Sequence, residues 1–102
     1  MDLKPGSRWR SAVCDAEVVV VRPPAAAAVL ACGGHTLVAH GAERPAGAAL
    51  SPDHSAGSLL GKRYTDAESG LEALCTKPGA GSLSLDGRPL AVKEAKKLPS
   101  SD

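Results

Sequence analysis

Apolar and polar residues alternate in short bursts along the chain, and no stretch keeps apolar positions at helical spacing long enough to predict a helix. Glu17-Val18-Val19-Val20-Val21-Arg22 is a β-branched run, apolar on both faces, and predicts a central strand covered on each side. Upstream, after a turn at Lys4-Pro5-Gly6, the segment from Arg8 to Cys14 alternates. As one strand it would place Trp9 and Val13 on one face and Arg8, Arg10 and Cys14 on the other. Pro23-Pro24 stops the next strand, and Ala25 to Ala28 is too short to nucleate a helix beside two prolines. Val29-Leu30-Ala31-Cys32 then runs toward Gly33-Gly34, and Thr36-Leu37-Val38 follows. Pairing the strand at 17–22 with that at 29–32 predicts a hairpin whose paired residue numbers sum to about 50.

The second half reads as two further hairpins. Residues 59–65 return as Leu71 to Thr76 across Asp66-Ala67-Glu68-Ser69-Gly70, and Ser82 to Leu85 returns as Arg88 to Val92 across Asp86-Gly87. Between the halves, a stretch of about 40–58 is rich in Gly, Ala, Pro and Ser and predicts a long flexible loop. These elements predict an all-β fold, a small antiparallel barrel or sandwich of about six or seven short strands. Residues 1–95 form its single domain and residues 96–102 a disordered tail.

Composition changes this picture in one respect. With 102 residues there is room for one core, and 43% apolar and 23% charged residues are ordinary for a folded chain. The apolar residues are mostly Ala, Leu and Val, however, with no Phe or Ile, one Trp, one Tyr and one Met. So lean a core points to support from a metal, a disulfide, self-association or a protein partner. A net charge of +1 with dispersed signs argues against nucleic acid or an anionic membrane as partner. The N-terminus lacks the apolar segment of a signal peptide and no run approaches a membrane span, which predicts a cytoplasmic protein. Abundant Ala, Gly, Pro and Arg with no Ile, Phe, Asn or Gln fits a bacterial, GC-rich source.

Candidate chemistry rests on Cys14, Cys32-Gly33-Gly34-His35 and Cys75. Thiolate and imidazole are ligands of zinc and iron, and the expected hairpin would bring Cys14, Cys32 and His35 to its open end; Cys75 is the natural candidate for a fourth ligand, with His40, His54 or Asp15 as others, although nothing in the sequence brings Cys75 there. A zinc-ribbon signature would need a second paired motif, which the chain lacks. On the plainer reading Cys32 and Cys75 are small buried hydrophobes and Gly33-Gly34 a tight turn. A third reading makes Cys14 the nucleophile of a thiol-dependent enzyme, its thiolate favoured by Arg8 and Arg10, with His35 as base. Gly79-Ala80-Gly81-Ser82 resembles a phosphate loop only superficially, because no Lys-Ser/Thr ending or helix follows. With no catalytic motif, the leading expectation is a non-catalytic accessory or binding protein that docks to a partner. A zinc or iron protein using Cys14, Cys32, His35 and Cys75 is the alternative, and a thiol enzyme using Cys14 the second.

Overall fold

The computed structural model describes residues 1–93, so the tail expected at 96–102 lies outside the described residues. In chain order the strands are β1 (Arg8–Arg10), β2 (Glu17–Arg22), β3 (Leu30–Cys32), β4 (His35–Thr36), β5 (Val38–Ala39), β6 (Arg63–Thr65), β7 (Glu72–Lys77), β8 (Leu83–Leu85), β9 (Arg88–Pro89) and β10 (Ala91–Lys93). A single 3-10 turn, Pro52–His54, is the helical element among the described residues. The strands form two antiparallel sheets, one of six strands in the order β10-β6-β7-β2-β1-β5 and one of four in the order β4-β3-β8-β9. The all-β class is therefore as the patterning predicts, but the sheets do not close into a barrel. More strands form than the sequence announces because β4, β5 and β9 are two-residue pieces, too short to show a period.

Both turns of the second half form: β6 pairs with β7, and β8 pairs with β9. Asp86 and Gly87 between the latter two both take positive φ, 49° and 82°, as a two-residue turn that follows the strand twist requires. The return strand expected from Arg88 to Val92 is broken after Pro89, however, and β10 crosses to pair with β6 in the larger sheet. β2 is central, with β1 on one side and β7 on the other. Only one of its faces is fully covered, however: Val18 and Val20 are buried, Val19 is half-buried and Val21 is exposed.

Two further expectations are overturned. β2 does not pair with β3; β3 pairs instead with β4 and β8 in the other sheet. Pro23 and Pro24 offer no N–H to a ladder, and the Ala25 N–H is held by the Ser69 carbonyl at 2.7 Å, so the connection carries the chain from one sheet to the other. Nor does the first strand reach Cys14. The buried Ser11 hydroxyl accepts the N–H groups of Val13 and Cys14, both at 3.1 Å, and the Ser11 N–H donates to the Ala16 carbonyl at 2.8 Å. That side-chain competition for the backbone ends β1 at Arg10 and turns residues 11–16 into a tight loop.

The two sheets share one core. Val18, Val20, Ala73 and Cys75 contribute from the larger sheet and Leu30, Cys32, Leu83 and Leu85 from the smaller, with Leu3, Leu37, Tyr64 and Leu71 closing the gaps. The loop at 40–58 is tied down at several points. Its start is held by the Arg10 guanidinium on the Ala42 carbonyl and by His40 N–H on Arg8. Its second half is held by Ser51 N–H on the Gly33 carbonyl at 2.9 Å and by Ser82 N–H on the His54 carbonyl at 2.8 Å. The loop thus docks on the turn that follows Cys32, which places its far half beside the cysteine end of the molecule.

Candidate dithiol site

Cys14 and Cys32 meet where the two sheets come together at one end. Cys14 projects from the loop between β1 and β2, Cys32 is the last residue of β3, and their sulfurs stand 3.8 Å apart. Both are free thiols. Cys14 is half-buried whereas Cys32 is 0% exposed, so one residue of the pair is partly reached by solvent and the other is not.

A small set of groups surrounds them. The Ser11 hydroxyl lies against both sulfurs and has a single hydrogen to give, since its oxygen already accepts two backbone N–H groups. The backbone N–H groups of Ala16 and Gly81 face Cys14. The chain after β7 closes the site from the far side. At Gly79 an added Cβ would lie 2.5 Å from the Ala16 backbone nitrogen and 2.8 Å from the Cys14 sulfur. At Gly81 it would lie 2.9 Å from the Gly33 backbone and 3.0 Å from the Cys32 sulfur. These glycines serve as gaps that let one backbone lie directly on the thiols. Ser58, fully buried, fixes this turn through its hydroxyl on the Gly81 carbonyl at 2.6 Å and a two-way backbone bridge with Gly79.

The environment separates the two thiols electrically. Burial alone would raise the Cys14 pKa. The Ser11 hydroxyl, the Ala16 and Gly81 N–H groups and the Cys32 thiol outweigh it by bonding to the thiolate, and they bring Cys14 below the ordinary thiol value. Cys32 goes the other way: burial first, and then repulsion from charge on Cys14, push it up to about 12. The surroundings therefore favour ionisation at Cys14 and keep the proton on Cys32.

Of the four residues expected to form a ligand set, this end of the fold joins Cys14 and Cys32. They meet although the hairpin that was expected to join them does not exist. His35 is the β4 partner of Cys32 across the Gly33-Gly34 turn, half-exposed, and among the described residues no hydrogen bond links it to either sulfur. Cys75 sits on β7 opposite Val18, buried, with its thiol donating to the Lys77 carbonyl at 3.1 Å. Its pKa is raised by burial and, to a lesser degree, by charge on Cys14, so it lies near the pair without joining it. Among the described residues no three of His, Cys, Asp and Glu are grouped as metal ligands. The groups that lower the Cys14 pKa are Ser11, the backbone and Cys32, not Arg8 and Arg10, because the chain turns after Arg10.

Sequence reasoning missed Ser11, Ser58, Gly79 and Gly81. Ser11 had a local signal, a serine three residues before a cysteine, which is the spacing of a hydroxyl-capped turn. Gly79 and Gly81 stand in the sequence within a superficial phosphate-loop resemblance, and nothing local shows what a glycine lies against. Among the described residues no helix is long and apolar enough to cross a membrane. Comparisons with family models, with curated proteins and with solved structures find no match for the chain.

Proposed function

We propose that this protein works through Cys14 and Cys32 as a redox dithiol, cycling between a thiolate-thiol pair and a disulfide. The observation that carries the reading is the 3.8 Å separation of the two sulfurs, with one half-exposed and the other sealed. Two thiols in van der Waals contact need only a small approach to bond at about 2.05 Å. An oxidant that takes two electrons from the thiolate-thiol pair, with release of its one proton, leaves a bridge between the β1–β2 loop and the end of β3. That bridge ties the larger sheet to the smaller, in what we read as a small two-layer sandwich. The test is to treat the reduced protein with diamide, digest it without reductant and map the bridges by mass spectrometry. Cys14–Cys32 is the expected product. Bridges that involve only Cys75, or none, would remove the reading.

A second reading is favoured by a different face. Leu59 and Leu60 are 57% and 62% exposed, and Leu59 and Val92 line a cavity of about 470 Å³ with Tyr64, Leu83 and Leu90. Exposed apolar side chains beside a concavity fit docking of a protein partner or a second copy, the accessory role expected from the lean core. Sedimentation of the wild type against the Leu59→Ser/Leu60→Ser double variant tests it for self-association. A wild type that sediments as a monomer at every concentration and is unchanged by the substitutions counts against it.

A further inference from the structure

The arrangement of the two sulfurs goes further than redox activity and points to what they react with. Resting on the dithiol reading above, we propose that the substrate is a disulfide, which Cys14 attacks and Cys32 then releases. An incoming group meets Cys14 first, since Cys32 is fully buried behind it at 3.8 Å. The groups around the sulfurs are a hydroxyl, backbone N–H groups and the other thiol. Cleaving an O–O bond calls for strong donors on the departing oxygen, whereas a disulfide brings its own stable leaving group and needs only three sulfurs in line.

In the first step the Cys14 thiolate forms a bond to one sulfur of the substrate, the substrate S–S bond breaks, and its electron pair leaves on the other sulfur, which takes a proton from water. In the second, Cys32 bonds to the Cys14 sulfur from the buried side while the remaining half of the substrate departs toward solvent. The Cys32 proton goes to that departing thiolate. The substrate gains two electrons and two protons; the pair supplies both electrons and the Cys32 proton, and water supplies the other proton.

The geometry orders these steps. While Cys14 carries charge it repels ionisation of Cys32 and competes for the one hydrogen of Ser11. Once Cys14 is tied up as a neutral mixed disulfide, that repulsion is gone and the Ser11 hydroxyl is free to turn to Cys32. The second thiol is thus released for attack only after the first has reacted.

Oxidised glutathione and insulin are the probes for a small and a protein disulfide, and hydrogen peroxide is the parallel oxidant. Reduced full-length protein is expected to lose two hydrogens and form Cys14–Cys32 with at least one of the two disulfides. The Cys32→Ala variant, which keeps the core apolar, is expected to accumulate one glutathione or one insulin chain on Cys14. Cys75→Ala is expected to behave as wild type, and Cys14→Ser to lose all exchange while keeping its circular dichroism spectrum. Small-disulfide turnover alone assigns the substrate as a low-molecular-weight disulfide, and insulin reduction alone as a protein disulfide. If peroxide closes Cys14–Cys32 but neither disulfide does, the substrate assignment is overturned and the dithiol reading stands. If none of the three closes it, both fall; an adduct trapped on Cys75 in place of Cys14 also overturns the proposal.

Discussion

Ser11 stands at the point where local structure becomes chemistry. Its oxygen ends β1 by capturing two backbone N–H groups, and its hydrogen is left for the sulfurs. Alkylation of Cys14 by iodoacetamide should therefore follow a titration with its midpoint lowered from that of an ordinary thiol, well ahead of Cys32. In Ser11→Ala the midpoint should move up, and in Ser11→Thr, which keeps the hydroxyl, it should stay near wild type. An unchanged midpoint in the alanine variant would remove Ser11 from the site. A second residue-scale consequence concerns Asp66. Arg88, bonded to it at 2.8 Å, and then Ser69, hold its pKa down at about 2. A carboxyl whose folded value lies below its unfolded value of about 3.9 adds stability above that unfolded value and loses it as the pH falls toward 2. Urea unfolding of wild type should weaken between about pH 4 and pH 2, and Asp66→Asn should flatten part of that slope.

At the scale of elements, two glycines with similar turn signals in the sequence do different work. Gly87 has positive φ of 82° and open space around it, whereas Gly79 lies against the Ala16 backbone. Gly87→Ala should cost about 1–2 kcal/mol of stability through backbone strain and leave Cys14 alkylation unchanged. Gly79→Ala forces the 11–16 loop to move, and should cost about 1–3 kcal/mol by overpacking while also slowing Cys14–Cys32 bridge formation. Denaturant melts and alkylation rates of the two variants check this; equal thiol kinetics would show that the close approach at Gly79 does not matter to the site. The hairpins of the second half were legible because Asp86-Gly87 and the 66–70 turn carry their geometry in residue type. The β2–β3 hairpin was misread because the proline pair has the same local signature whether the chain turns back within a sheet or crosses to another.

For the whole molecule, the core is lean, and its large fully buried members are Leu30, Leu71 and Leu85 with Val18 and Val20. Leu85→Ala should therefore cost about 2–5 kcal/mol, a large share of what a domain of this size has. Oxidation acts in the opposite sense. Cys14 and Cys32 are 18 residues apart, and closing a loop of that length restricts the unfolded chain by about 3 kcal/mol. Thermal melts of the oxidised protein should lie roughly 10–20 °C above those of the reduced protein, and Leu85→Ala should regain most of its lost stability on oxidation. A melt that does not change with oxidation would mean that the bridge strains the native fold as much as it restricts the unfolded one.

By itself the sequence determined the strand class, the central place of the valine run, two of the hairpins and the cysteines worth watching, because period-two patterning and turn residues act over a few neighbours. Only the tertiary structure decided that Cys14 and Cys32 touch while His35 and Cys75 stand apart from the pair, and that Gly79 and Gly81 are gaps over sulfur. Those facts depend on which sheet each strand joins and on backbones approaching across long separations. That choice is made by burial of the shared core, which no local pattern records.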